Sequence, residues 1–356
     1  MSSKLERQVE KDYQNSPHIP SGELTREEIE EQDTSQTADI SCYVSKHLFD
    51  PKWLNNTDFC IILGPRQAGK TRLSHWLQYN GLRHHNYATA RLWTGSKHAH
   101  EYPQFADSFT AEGSDFELLE DVLNWKANLL DKVRKTLEDN QKVNRWDDEN
   151  AIDEYINLYD LLWFDDVASS HELSRSPELS KCATKGRHLK FGLYISTQHI
   201  HAIQPDSRAS ANWAFVFNFT ETINREGIMR DFMPSPGGND TEIKRATWNA
   251  LIMDQDDKEN PCFAIRMTGR SPIEGDKCRI YRVPPESKRL WKPKYIMGNP
   301  VFFLPDEPLL KYVGPKKMEK SRKISNKARE LLFTDDMAPT KKDFSHDKSK
   351  GELKEE

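Results

Sequence analysis

Residues 64–71 read GPRQAGKT and follow directly on the apolar run FCIIL at 59–63. Gly64, Gly69, Lys70 and Thr71 fit the spacing G-x-x-x-x-G-K-[ST]. The next segment, TRLSHWLQYNG at 71–81, sets Leu73, Trp76 and Leu77 on one helical face and stops on Asn-Gly. A buried strand, a tight glycine loop and a helix in that order commit the chain to an α/β architecture. The loop also carries a chemistry. Its glycines let the backbone N–H groups converge at the positive end of the helix, where they suit phosphate oxygens. Lys70 adds a point charge for the outer phosphates, and Thr71 a hydroxyl for magnesium. Arg66, Gln67 and Ala68 fill the loop, Pro65 is tolerated where no N–H is required, and Arg72 follows on the helix. All of Gly64–Arg72 is expected to contact nucleotide.

Hydrolysis also needs a carboxylate on the neighbouring strand to hold magnesium. YDLLWFDD at 159–166 brings an apolar run through the core and ends on two acids. Asp165 is assigned to the metal, and Asp166 to orienting or deprotonating the attacking water. A small-molecule kinase must avoid activating water, so the second acid favours an ATPase. KGRHLKFGLYISTQH at 185–199 reads as a further strand beside the phosphate loop, ending in Ser196, Thr197 and Gln198. Gln198 is placed to reach the γ-phosphate or the water. Arg187 begins the same segment, and about eight extended residues at ~3.3 Å each separate it from Gln198. A catalytic Arg187 therefore has to act on a neighbouring subunit's nucleotide.

Other elements follow from pattern. FELLEDVLNWKANLLDKVRKTLED at 116–139 repeats its apolar residues at helical spacing, with Ser114 as the cap. A weaker strand is expected at 87–92, a polar loop or small insertion at 140–155, and a strand at 213–220. Helices are expected around 222–233 and 241–253, and a strand pair at 262–267 and 278–283. The gap between the strands at 159–166 and 189–197 accommodates a helical crossover, as parallel neighbours require. The sheet is thus mostly parallel, with antiparallel additions and flanking helices.

Polarity is unevenly spread along the 356 residues. Residues 1–39 are acidic, whereas 316–356 open on a lysine-rich run and end in mixed charge, so both are expected to be disordered tails around a single domain at 40–315. The net charge of −5 hides this dipolar arrangement and neither supports nor excludes nucleic acid. No stretch has membrane-spanning length or the pattern of a secretory signal. The five cysteines form no CxxC pair, which suits reduced thiols and a cytosol-like compartment.

The order ILGPRQAGKT, LLWFDD, GRHLKFGLYISTQ and IQPDSRASANWAFVF resembles the A32-like DNA-packaging ATPases of large double-stranded DNA viruses, within the FtsK–HerA superfamily of ring translocases. The resemblance covers roughly residues 58–233. It implies a RecA/FtsK–HerA-like P-loop NTPase fold, with ATP and magnesium as cofactors. It gives nucleotide binding to Gly64, Gly69, Lys70 and Thr71, metal and water roles to Asp165 and Asp166, and a sensor role to Gln198. Arg187 and Arg208 become the arginines that contact a neighbour's phosphate. It also implies a homo-oligomeric ring (pentamer or hexamer), double-stranded DNA as the moving substrate, and capsid vertex or portal proteins as partners. The expected place of action is the host cytoplasm at viral assembly sites, or the virion. Many members of the superfamily carry glutamate where Asp166 stands.

A translocating ring grips phosphate backbone rather than base edges. Segments 267–279 and 88–100, the latter with Arg91, Lys97 and His98, are the expected DNA-facing loops, with the basic run 316–329 as an alternative. Two other classes fit the phosphate loop alone: a small-molecule kinase or other NTPase, and an assembly protein that uses nucleotide only to lock an interface.

Overall fold

The structure is a computed structural model and describes residues 41–297 apart from 42, 83–84, 86, 95–101, 103–104, 106–109, 113–115, 145–148, 157, 167–175, 234–240, 258, 270, 290 and 292–296. Both expected tails, the cap Ser114, and Lys97 and His98 lie outside the described residues. The strands are β1 (Val44–Leu48), β2 (Phe59–Leu63), β3 (Thr89–Thr94), β4 (Thr110–Glu112), β5 (Asp160–Asp165), β6 (Phe191–Thr197), β7 (Trp213–Val216), β8 (Phe263–Arg266) and β9 (Ile280–Arg282). They form one nine-stranded sheet in the order β1-β9-β8-β7-β2-β6-β5-β3-β4. The pairs β2–β6, β2–β7, β5–β6, β3–β5, β3–β4 and β1–β9 are parallel, and β7–β8 and β8–β9 antiparallel.

The helices are α1 (Lys70–Asn80), α2 (Phe116–Asp139), α3 (Pro177–Lys185), α4 (Pro205–Ala209), α5 (Thr222–Phe232) and α6 (Thr241–Asp257). Alternation along β2 explains the layering. Ile61 and Leu63 face one core with Leu119 and Leu123 of α2 and Ile228 of α5. Cys60 and Ile62 face the other with Leu73, Trp76 and Leu77 of α1. Both sides of the central strands are therefore covered, which is why they read as continuous apolar runs rather than alternating ones. This is an α/β fold of the P-loop NTPase class, as the sequence pattern predicts.

Three expectations change. Asp165 does not sit on a strand adjoining the phosphate-loop strand, because β6 lies between β2 and β5. Segment 88–100 is not an open loop over its first half. Thr89–Thr94 is a fully buried strand, and Arg91 within it is only 2% exposed, so it faces no DNA. The strand at 213–220 ends at Val216. Nor do the sequence expectations include the outer strands β1 and β4.

Candidate functional site

The parallel strands end in register, with Leu63 opposite Thr197 and Val216, and Ser196 opposite Asp165. Their C-terminal edge is where open α/β sheets hold ligands. A cavity of about 570 Å³ opens there, lined by the loop Arg66–Arg72, Asp165, Asp166, Gln198, Phe217 and Lys288, among others. The cavity brings together the sequence-predicted phosphate, metal, water and sensor residues.

The loop has the backbone that a phosphate cradle needs. Gln67 and Gly69 both adopt positive φ, at 65° and 103°. Gly69 stands at the N-cap of α1 without a side-chain cap, leaving the first-turn N–H groups to a ligand. Gly64 is required by contact rather than by φ, since a Cβ there would lie 2.9 Å from Phe217 Cδ2. Sequence reasoning missed Phe217. The only signal for it was its position just past the apolar run of β7. Lys70 is 9% exposed, and its Nζ donates to the carbonyls of Gly64 at 2.8 Å and Pro65 at 3.0 Å. Burial lowers its pKa, with Asp166 and Asp165 opposing. Arg72 is exposed and donates to the Lys288 carbonyl at 3.3 Å, tying α1 to the segment after β9.

Asp165 closes β5 and is 8% exposed. Burial pushes its carboxyl up to about 6, while the neighbouring hydroxyls of Tyr102 and Ser196 act the other way. Both hydroxyls are buried, and among the described residues neither has a partner of full hydrogen-bond geometry. With the Asp165 carboxylate and the Thr71 hydroxyl they gather oxygens into one corner. Magnesium is typically held by one or two carboxylates, phosphates and waters, so these residues fit it. Among the described residues no cluster of three or more His, Cys, Asp or Glu competes for a metal. Asp166 leaves the strand with φ 51°, its N–H donating to the Ser196 carbonyl at 3.1 Å. This left-handed turn is uncommon outside glycine but tolerated by aspartate. It re-aims the carboxylate, whose Oδ1 accepts from Gln198 Nε2 at 2.8 Å.

The two arginines separate. Arg187 is exposed in the turn before β6, at the opposite edge of the sheet, where it and Arg266 line a second cleft of about 520 Å³. The seven residues of β6 put about 20 Å between that edge and Gln198. Arg208 is a correction to the expected neighbour contact. It is 3% exposed, its Nη1 donates to the carbonyls of Ile200 and Ile203, and its Nη2 pairs with Asp231 at 2.7 Å. An arginine so enclosed serves its own subunit. Segment 267–279 joins β8 to β9 and starts beside Asn212, so it leaves from the same edge as Arg187.

No family model matches the chain, and none of the curated proteins matches it. Solved structures do. The chain is similar to the genome packaging NTPase B204 from Sulfolobus turreted icosahedral virus 2 in complex with ATP-gammaS, at 14% identity and TM-score 0.37, over 65% of this chain and 99% of that one. It is also similar to EssC (ATPases 2 and 3) from Geobacillus thermodenitrificans, at 11% identity and TM-score 0.41, over 78% of this chain and 44% of that one. A third is the pCW3 conjugation coupling protein TcpA, at 14% identity and TM-score 0.34, over 48% of this chain and 52% of that one. At these values none of them bears on substrate or partners. Among the described residues no helix is long and apolar enough to cross a membrane.

Proposed function

We propose that the chain binds ATP with magnesium and hydrolyses it to move double-stranded viral DNA through a homo-oligomeric ring into a preformed capsid. The observation that carries the hydrolytic part is the meeting of Lys70, Asp165, Asp166 and Gln198 on one cavity above a phosphate cradle. The loop N–H groups and Lys70 hold the outer phosphates. Thr71 and Asp165 hold magnesium, which when bound draws charge from the phosphoryl oxygens. Asp166 orients the attacking water and takes its proton, and Gln198 sets the direction of that carboxylate. A second carboxylate reserved for water separates this site from one built to pass phosphate to a small molecule.

The DNA and packaging parts lean on the sequence motifs, above all GRHLKFGLYISTQ and the Arg-x-x-x-Asn that follows it. In that reading Arg187 reaches the γ-phosphate held by an adjacent subunit, and five or six subunits form the ring. Capsid vertex or portal proteins dock it in the host cytoplasm at assembly sites. The test is steady-state ATP hydrolysis by the purified chain with and without long double-stranded DNA, with particle mass recorded in the same buffer. Stimulation by DNA of a particle of ring mass is expected. Hydrolysis that ignores DNA in a monomer would remove the translocase reading and leave the ATPase.

A further inference from the structure

The turn after the sensor strand is largely buried and is held by side chains from two helices. Gln198 follows β6 directly, and Ile200 lies two residues on. Both backbone polar groups of Ile200 are bound by side chains. Its N–H donates to Asn224 Oδ1 of α5 at 3.1 Å, and its carbonyl accepts from Arg208 Nη1 at 3.1 Å. The same Nη1 reaches the Ile203 carbonyl, and Nη2 reaches Asp231 at the far end of α5. Asn224, 3% exposed, also donates from Nδ2 to Glu221 at 2.7 Å and lies 3.4 Å from His199 Nδ1. The apolar side of the junction is equally close. A Cβ on Gly227 of α5 would stand 2.7 Å from Ile200 Cγ2, so only glycine lets the helix approach this far.

Helix α5 therefore grips the segment 199–203 at three points: Asn224 near its start, Gly227 in the middle, and Asp231 through Arg208 near its end. Ile200, Ala202 and Ile203 are buried, so the backbone polar groups here need partners, and those partners come from or through α5. Three anchors from a single helix make the turn and the helix move together, because neither can shift without breaking buried polar contacts. Gln198 stands one residue before this clamp, and its amide is bonded to Asp166.

We infer that Asn224 and Arg208 are positioning residues that hold the Gln198 turn on Asp166 and make α5 the element that moves with nucleotide state. The inference rests on the proposed ATPase site and on the sensor role expected of Gln198, within reach of the γ-phosphate or the water. When a γ-phosphate competes for the Gln198 amide, the shift of the turn is passed to α5 through Ile200. From α5 it reaches α6, which packs against it and whose Lys244 donates to the Arg230 carbonyl at 3.3 Å. This gives Arg208 work within its own subunit.

The test is amide hydrogen exchange on the full chain with magnesium and ATPγS, paired with turnover. In the wild type ATPγS is expected to slow exchange in 64–71, in 198–204 and in α5. Asn224→Ala, Arg208→Lys and Gln198→Ala should keep the protection at 64–71 and lose it in α5. Arg208→Lys is chosen because lysine can still pair with Asp231 but cannot also bridge two carbonyls. Turnover in Asn224→Ala should fall between about two- and thirty-fold with KM little changed. Combined with Gln198→Ala, it should cost nothing further. A purely structural role predicts a lower melting temperature, an unchanged α5 response, and losses that multiply in the double variant, and that result would overturn the inference. If ATPγS protects 64–71 but the wild type does not hydrolyse ATP, the ATPase reading fails alone and the exchange data still decide this one. If ATPγS protects nothing, both fall.

Discussion

Gln198 Nε2 donates to Asp166 Oδ1 at 2.8 Å, joining the residue just after β6 to the one just after β5. The bond spans adjacent strands, so it reports on the register of the sheet as well as on two side chains. It holds a carboxylate that already occupies a left-handed backbone position, and it leaves Oδ2 for a water. Asp166→Asn retains the shape and removes the proton acceptor. Turnover is expected to fall by about 10²–10⁴-fold, the usual worth of a positioned base. Gln198→Ala should cost less, since the base remains but is free to rotate. Affinity for a fluorescent ATP analogue should be nearly unchanged in both. Wild-type turnover in Asp166→Asn would remove Asp166 from the mechanism.

The phosphate loop leans on an aromatic ring. Gly64→Ala drives a Cβ to 2.9 Å from Phe217 Cδ2 and 3.1 Å from its Cβ, and Phe217 is itself buried at 2% exposure. Overpacking of this kind costs about 1–3 kcal/mol. Here the strain lies under the loop, so it should appear as weaker nucleotide binding. Replacing the ring as well, in Gly64→Ala/Phe217→Leu, should restore part of the affinity. If the double variant binds no better than Gly64→Ala, the ring is not what forbids a side chain at 64.

Asp165 is held in a costly state. Its folded pKa, about 6, lies above the ordinary 3.8 because burial disfavours the carboxylate. The folded chain then binds the proton more tightly than the unfolded chain. Stability contributed by this group is present below about pH 4 and is lost as pH rises to about 6. At neutral pH the penalty approaches 3 kcal/mol at most, from about 1.4 kcal/mol per unit. Asp165→Asn removes it. With chelator present and no nucleotide, the variant should unfold at higher urea than the wild type at about pH 7.5. That difference should shrink towards about pH 5, while magnesium-dependent hydrolysis is abolished. An equal denaturation midpoint at both pH values would show that the buried carboxylate costs nothing.

A second buried charge lies at the other end of β5. Lys126 of α2 is fully buried and pairs with Asp160 at 2.6 Å, and Asp160 also accepts from the N–H and hydroxyl of Thr89. Lys126 donates as well to the Leu158 carbonyl. Lys126→Met leaves Asp160 charged and without its cation, a change that costs about 3–5 kcal/mol. Asp160 begins the strand that Asp165 ends, so the protein should lose stability while keeping its nucleotide affinity at permissive temperature. Urea unfolding and analogue binding on the same preparation separate the two. Adding Asp160→Asn should recover part of the loss.

These cases mark what could be read from the residues. The phosphate loop, both acids and Gln198 were legible because each ends or follows an apolar run, and local pattern shows where such runs stop. Helix α2 was legible through its apolar spacing, but that spacing gives Lys126 no reason to be inside. The acid that brings it there is thirty-four residues away and starts a strand. Arg91 misled for the same reason: in TARLWT a charged residue reads as an exposed position, yet β3 is covered on both faces. Arg208 followed the resemblance to a neighbour contact, while its partners, two carbonyls and Asp231, are visible only in three dimensions. The insertion of β6 between β2 and β5 is a matter of topology, which strand patterns alone leave open.

Arg187 remains the arginine to test for action between subunits. It is exposed, about 20 Å of strand away from Gln198, and on the edge opposite the phosphate loop. No rearrangement within one subunit short of unfolding β6 brings it to its own nucleotide. If it acts at all, it acts on a neighbour, where a guanidinium set against the transferring phosphoryl group is worth about 10³–10⁵-fold. Arg187→Ala should therefore keep ATP binding and lose most hydrolysis. Mixing it with Asp166→Asn distinguishes the trans role from a folding defect. In mixed rings some interfaces set an intact Asp166 site against an intact Arg187, so activity should partly return although neither parent has one. Co-assembly is checked by mass on tagged subunits. If the subunits co-assemble and nothing returns, the trans role of Arg187 is lost. Arg208, enclosed as it is, does not inherit that role, and Arg266 in the same cleft becomes the next residue to exchange.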